Sequence, residues 1–362
     1  MSPSLRRLRS LGVTLSLSCG PQLARAAPVD APPAAPAPFT SEWEVAPRAM
    51  IALRAQDEVR GGALVERGFR LQATRLILHA THPRWHVQLH YQLHSDEGRI
   101  ATGNMYVQWE ASRWFAVLVG QNRVPFNREH ITGWFYHQLV DRSLVNARFG
   151  LQRDLGAAAY FTSLDRRWDA TLGVWNGARL AAANDDRSFL TTARVAWSPQ
   201  GPVAFQEGDL AWTRRPLVSI AFAAAYNPSR TFVAEGAKAG ETTRWQDVRQ
   251  AVFEQTLRYA GVSLSTEQHA RTRLLSKGRS VDFGSLAQLG IFVVPRRLEV
   301  LARAAVAAGS KIGATEAVRE HAAGLSLYVD GHNLKVQADA ALLRLEDGTA
   351  GRRVRLQTSA VF

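Results

Sequence analysis

Three features of the sequence predict an all-β chain closed into a transmembrane antiparallel barrel of about 16 strands. Apolar and polar residues alternate with a period of two in runs of roughly ten residues, the length a tilted strand needs to cross a bilayer. The two phases differ in kind: one is aliphatic with aromatics near the run ends, the other carries amides, imidazoles and charges. That contrast suits a wall with lipid on one side and water on the other. The chain also opens on an export signal. A soluble sandwich alternates too, but its apolar faces meet in a dry core and its strands are usually shorter.

Taken in order, residues 1–27 read as a secretory signal. Arg6, Arg7 and Arg9 form the cationic start, Leu11 to Leu17 the apolar core, and Ala24, Ala26 and Ala27 the small-residue cleavage site. Cys19, the only cysteine, lies inside this segment, so disulfide and thiol chemistry drop out of the mature chain. A lipoprotein reading of Cys19 is disfavoured by Ser16, where such a signal prefers Leu. Residues 28–43 are a Pro/Ala-rich lead-in that cannot bury a core and is expected to be disordered. Residues 44–362 form the barrel, with no internal repeat beyond hairpin spacing and no second domain.

Alternation places strands at 46–56, 69–81, 84–95, 100–111, 114–122, 153–164, 167–176, 189–198, 209–215, 216–227, 249–259, 260–271, 283–294, 297–307, 318–330, 333–345 and 352–362. Bacterial barrels close with an even number, so one of these is surplus. The short 209–215 run, which meets the next at Pro216, is the one to drop. The pattern is clean at several places. Trp85, Val87, Leu89, Tyr91 and Leu93 alternate with His86, Gln88, His90, Gln92 and His94; Leu334, Val336, Ala338 and Ala340 alternate with Lys335, Gln337 and Asp339. The last run ends on an aromatic, Phe362.

The chain is organised around Val119 to Gly156. A strand-like run ends in Gly-Gln, a Pro-Phe turn follows at Pro125 and Phe126, and a long Arg- and aromatic-rich excursion leads to the next strand near Arg153. Connections this long inside a compact domain are usually functional; in a barrel such a loop can fold inward and narrow the lumen. Here the motifs Gly120-Gln121, Pro125-Phe126, Glu129, Asp141-Arg142-Ser143 and Arg153-Asp154 with Gly156 resemble the phosphate-selective porin O and P family of outer-membrane channels. The C-terminal block containing Gly331, His332, Asn333, Leu334 and Lys335 is similar to that family's last hairpins. The resemblance runs from about Arg48 to Phe362, loosely between Phe205 and Arg249. It implies sixteen strands, a homotrimer and passive diffusion of small solutes.

Charge points the same way. Net charge is +13 and the sequence pI is about 10.7, yet only four of 44 cationic residues are lysines. An Arg facing lipid at the midplane costs about 2–4 kcal/mol, so most barrel arginines belong in the lumen, at interfaces or in loops. Guanidinium groups lining a narrow channel attract anions and repel cations, and their fork fits phosphate and carboxylate oxygens. The candidate pore-lining, anion-binding residues are Arg123 and Arg128 on the loop and Arg142, Arg148 and Arg153 further along it or at its exit. Arg194, Arg258 and Arg303 fall on polar strand phases, and Arg353 and Arg355 resemble them. The competing reading for each is pairing with one of 31 acidic residues; Arg142 beside Asp141 and Arg153 beside Asp154 could serve to hold the loop in shape. The resemblance also implies a lysine cluster, which the four scattered lysines do not supply.

Other constellations carry less. His86, His90 and His94 share a strand face, but residues four apart on a strand are about 13 Å apart, too far to ligate one ion. Gly236 to Thr243 lacks the order and context of a phosphate loop. A nucleic-acid binder would explain the basicity, but the export signal argues against it. The expectation is an outer-membrane porin, anion-preferring and phosphate-selective in its strongest form, with no cofactor, metal or chemical step. Its partners would be phosphate or chloride, membrane lipid and copies of itself. The alternatives are an outer-membrane barrel hydrolase and a plugged structural or adhesion barrel.

Overall fold

A computed structural model of the chain describes residues 43–94, 99–177, 184, 187–232, 243–275, 278–309 and 317–362. The signal segment, nearly all of the lead-in, the loop at 236–242 and the His94 side chain lie outside the described residues. The barrel closes through sixteen antiparallel strands: β1 (Glu44–Arg60), β2 (Ala63–His82), β3 (Trp85–His94), β4 (Arg99–Ser112), β5 (Phe115–Arg123), β6 (Arg153–Thr162), β7 (Trp168–Trp175), β8 (Leu190–Trp197), β9 (Leu217–Phe232), β10 (Thr243–Tyr259), β11 (Val262–Leu275), β12 (Gly278–Val294), β13 (Leu298–Ala308), β14 (Ala317–Asp330), β15 (Leu334–Leu345) and β16 (Ala350–Val361). Each strand pairs with its sequence neighbours, and β1 closes on β16 with Met50 opposite Val361 and Arg60 opposite Gly351. Closure leaves no unpaired edge, the condition for a sheet in lipid. Each of the other sixteen predicted runs falls on a strand, and 209–215 forms none.

Alternation sorts the side chains as expected. On β16, Val354 and Leu356 are exposed on the outside, while Arg355, Gln357 and Ser359 are buried inside. On β15, Lys335, Gln337 and Asp339 are buried and Leu334 and Leu342 exposed. Outward aromatic pairs (Trp85–Trp109, Phe115–Phe161, Trp168–Trp197) ring the end where even strands lead to odd ones. Connections at that end are mostly tight turns, and those at the other include the long 124–152 loop. Short turns mark the periplasmic end of an outer-membrane barrel and longer loops the outer end.

Strand β2 breaks its own alternation. Leu53 faces Leu71, but Ala52 faces Ala73, so β2 carries a bulge at Gln72. Leu71 and Ala73 are two apart yet on opposite faces, and Arg75 is turned inward with Ala73. A one-residue slip flips every later side chain.

Candidate functional site

Among the described residues, two segments enter the lumen. From the outer end, residues 124–152 between β5 and β6 fold inward as a short helix α1 (Arg128–Ile131), a 3-10 turn at Trp134–Tyr136 and a second helix α2 (Leu144–Phe149). From the turn end, residues 198–216 between β8 and β9 also fold inward. The run set aside in the strand count belongs to this second segment.

The first loop is pegged to the wall by apolar side chains at four places. Val124 and Phe126 pack with Trp175 and Leu190; Leu139 with Leu301 and Leu343; Val145 and Phe149 with Leu286 and Ala305; Trp134 and Phe135 with Ala52 and Ala73. The wall is thinned to receive them: a Cβ at Gly284 would come within 2.6 Å of the Phe149 ring, and one at Gly324 within 2.7 Å of Leu139. Gly120 of the Gly-Gln motif has φ +132°, and a Cβ there would run into the backbone of Met105 and Tyr106. Only glycine suits that position.

Helix α1 is clamped by opposite charges at its two ends. The N–H groups of Arg128 and Glu129 donate to Glu254 and Glu267, both at 2.7 Å. At the other end Arg123 donates to the carbonyls of Ile131 (2.9 Å) and Thr132 (2.6 Å), and Arg142 to Thr132 at 2.8 Å. Acids at the start and guanidiniums at the finish complement the helix dipole and satisfy its terminal groups. Ser143 caps α2 by accepting from the Asn146 N–H at 3.1 Å, and its own N–H and hydroxyl donate to Glu129. This accounts for Glu129 and Ser143 in the motif block.

The predicted arginines divide into two groups. Arg303 pairs with Glu320 (2.5 Å) and Arg194 with Glu254 (2.6 Å). Asp141 pairs with Arg54 (2.8 Å) and Arg355 (2.6 Å) from the wall, not with its neighbour Arg142. Arg355 also binds Asp339 at 2.7 Å. Arg128 donates to the carbonyls of Val203 and Ala204 and lies 4.9 Å from the Phe205 ring; Arg258 donates to Ala204 and Gln206. Arg148 sits on α2, where its carbonyl accepts from Arg271. Arg153 donates to Asn104 at 2.7 Å, while Asp154 accepts from the Gly177 N–H. Arg153 and Asp154 are adjacent on β6, where neighbouring side chains point to opposite faces, which is why that pair does not form.

Arg75, absent from the predicted set, completes a cationic cluster. Its guanidinium lies 5.3 Å from the Trp134 ring centroid, and its buried Nε has no partner. Arg75, Arg123 and Arg153 lie within electrostatic reach of one another and of Arg142. Among the described residues none of Arg75, Arg123 and Arg153 pairs with a carboxylate. Burial, followed by Arg142, Arg123 and Arg153, holds His130 on the loop well below its ordinary value, hence neutral. A cavity of about 510 Å³ adjoins the cluster, lined by Asn104, Asn122, Arg123, Arg128, Arg194 and Phe205 among others.

The two inward segments meet at Glu207. Its carboxylate accepts from the Gln138 N–H (2.7 Å) and from Gln288 (2.9 Å), and lies 2.6 Å from His137 Nδ1. Burial alone would raise this carboxyl, but His137 and the two amides hold it down at about 2. Burial keeps His137 at about 4 despite the upward pull of Glu207.

No family model matches the sequence, and no curated protein matches it; the motif resemblance rests on its own residues. Solved structures do match. An anion-selective porin from Comamonas acidovorans aligns with TM-score 0.60 at 12% identity, covering 89% of this chain and 100% of that one. The outer membrane channel DcaP of Acinetobacter baumannii aligns with TM-score 0.57 at 11% identity, covering 88% and 97%. OmpT, an outer membrane protein of Vibrio cholerae, aligns with TM-score 0.57 at 9% identity, covering 90% and 100%. The fold is that of the outer-membrane porin barrels.

Proposed function

We propose that the protein is an outer-membrane porin passing small hydrophilic solutes by passive diffusion, with anions preferred. The observation that carries the preference is the cluster of Arg75, Arg123 and Arg153, which meets carbonyls, an amide and an aromatic ring but no carboxylate among the described residues. Uncompensated charge within low-dielectric walls raises the local anion concentration. Phosphate is the anion to test first, since guanidinium forks fit its oxygens, and a homotrimer is the assembly that the motif resemblance implies. No chemical step is assigned to the chain.

Single-channel recording across a planar bilayer under a KCl gradient, with phosphate then added, tests this reading. A reversal potential on the chloride side supports it, and block of chloride current by phosphate extends it to phosphate selectivity. A potential on the potassium side overturns the anion preference. A second reading, a barrel plugged at rest, is favoured by the docking of residues 198–216 onto the loop through Glu207. It predicts no wild-type conductance and conductance in a variant with that segment shortened. Turnover of an ester by the purified protein would bring a barrel hydrolase forward.

A further inference from the structure

The outer wall of β14–β16 carries charges that the lumen does not use. Near the outer end, Arg319 on β14 stands directly opposite Arg344 on β15. One row inward, His321, Leu342 and Arg352 lie side by side across β14, β15 and β16. All four basic side chains are exposed on the lipid side of the wall. Like charges directly opposite each other destabilise a sheet, and among the described residues none of the three arginines forms an ion pair with a carboxylate. The nearby acids are engaged elsewhere. Asp57 on β1 pairs with Arg67 at 2.6 Å; Asp347, within reach of Arg344, accepts from the Thr349 N–H and hydroxyl. Glu346 has an interaction of its own.

Directly inward of this patch, the same wall sinks into a depression of about 760 Å³. Its floor is Ala287, Ala302, Ala304, Ala323 and Ala340, its rim includes Leu289, Leu342 and Val354, and His321 and Arg352 also line it. A second outward depression, of about 1000 Å³ over β5–β10, has a floor of similar alanines. There the one arginine, Arg249, is tied to Asp247 at 3.0 Å and lies 5.7 Å from the Tyr226 ring. Of these two depressions, the β14–β16 one adjoins arginines that form no ion pair with a carboxylate among the described residues.

We infer that this surface binds a phosphate-bearing acyl lipid of the outer leaflet, with its phosphate between Arg319, Arg344 and Arg352 and an acyl chain in the alanine trough. Charge complementarity selects that occupant. A phosphate relieves the Arg319–Arg344 repulsion through charge-assisted, forked hydrogen bonds, and the trough accepts an acyl chain without exposing it to water.

The test is native mass spectrometry of the full-length protein in detergent, titrated with diphosphorylated lipid A and, separately, with its dephosphorylated form. The phosphorylated lipid is expected to be retained at concentrations at least about tenfold lower. The R319S/R344S/R352S variant, still folded by heat-modifiable gel mobility, should lose that difference and keep wild-type conductance. Should the triple variant fail to fold, Ala323→Trp fills the trough with the patch intact, and retention should still fall. Equal retention of the two lipids overturns the inference, as does a triple or Ala323→Trp variant that binds like wild type. Efficient homodimer crosslinking through Ala323→Cys would also overturn it, since a second copy would then occupy the face.

Discussion

Opposite walls of the same lumen use arginine in two ways. Along β8 and from β10 round to β1, most inward guanidiniums meet carboxylates: Arg194 with Glu254, Arg271 and Arg273 with Asp282, Arg303 with Glu320, Arg355 with Asp339, and Arg54 with Asp141 on the loop, while Arg258 meets carbonyls of the second inward segment. From β2 to β6, Arg75, Arg123 and Arg153 meet helix-end carbonyls, an amide and an aromatic ring. Paired arginines cancel in the far field and hold the wall and loop together. In the proposed porin, those satisfied by neutral groups would supply the field that mobile anions meet. Pairing chemistry, rather than the number of arginines, distinguishes the two walls.

The hardest test of the paired wall is Asp282→Asn. It leaves Arg271 and Arg273, both almost fully buried, without their carboxylate. Breaking a buried pair by removing one partner costs about 3–5 kcal/mol, so the folded barrel should melt earlier and in less denaturant. Gly284→Leu comes next. It drives a side chain into Phe149 and Val145, at a cost of about 1–3 kcal/mol for overpacking, and should shift α2 and change single-channel conductance. On the other wall, Arg75→Gln with Arg153→Gln removes no carboxylate partner. Stability should change by less than about 1 kcal/mol, while the anion-to-cation permeability ratio read from the reversal potential falls several-fold. Loss of stability without a change in reversal potential would erase the distinction between the walls.

Acid gives the smallest effect and sharpens the picture of the docked segment. Glu207 and His137 both have folded-state values below their ordinary ones. The contribution of His137 is present above 6.5 and lost as the pH falls through about 4. That of Glu207 is present above 4.5 and lost as the pH falls towards about 2. Lowering the pH from 7 to about 4 should therefore loosen residues 198–216 from the loop. Channel noise or open probability should rise over that range, and Glu207→Gln should mute the part of the rise that depends on the His137 contact.

Strand positions were legible in the sequence because lipid and water impose a period of two on every wall residue, and the even-number rule removed 209–215. The inward loop was legible from its length and its Pro-Phe turn. Arg123, Arg142 and Arg153 could be nominated from the same stretch, though not their partners. Arg75 was hidden because the bulge at Gln72 reverses the face of everything after it on β2, so it sits in the outward phase of the linear pattern. The docking role of Glu207 was hidden for a different reason: nothing in a run without alternation says that it turns back into the lumen.

The sequence by itself determined a basic, sixteen-stranded barrel with one inward loop, since each of those follows from local order: phase, length and composition along the chain. Tertiary structure decided which arginines meet a carboxylate and which do not. Asp141 reaches Arg54 and Arg355 across 87 and 214 residues of chain, and Arg303 reaches Glu320 on the adjoining strand. Whether a guanidinium is cancelled depends on which carboxylate barrel closure brings within hydrogen-bond distance, and linear spacing carries no record of that.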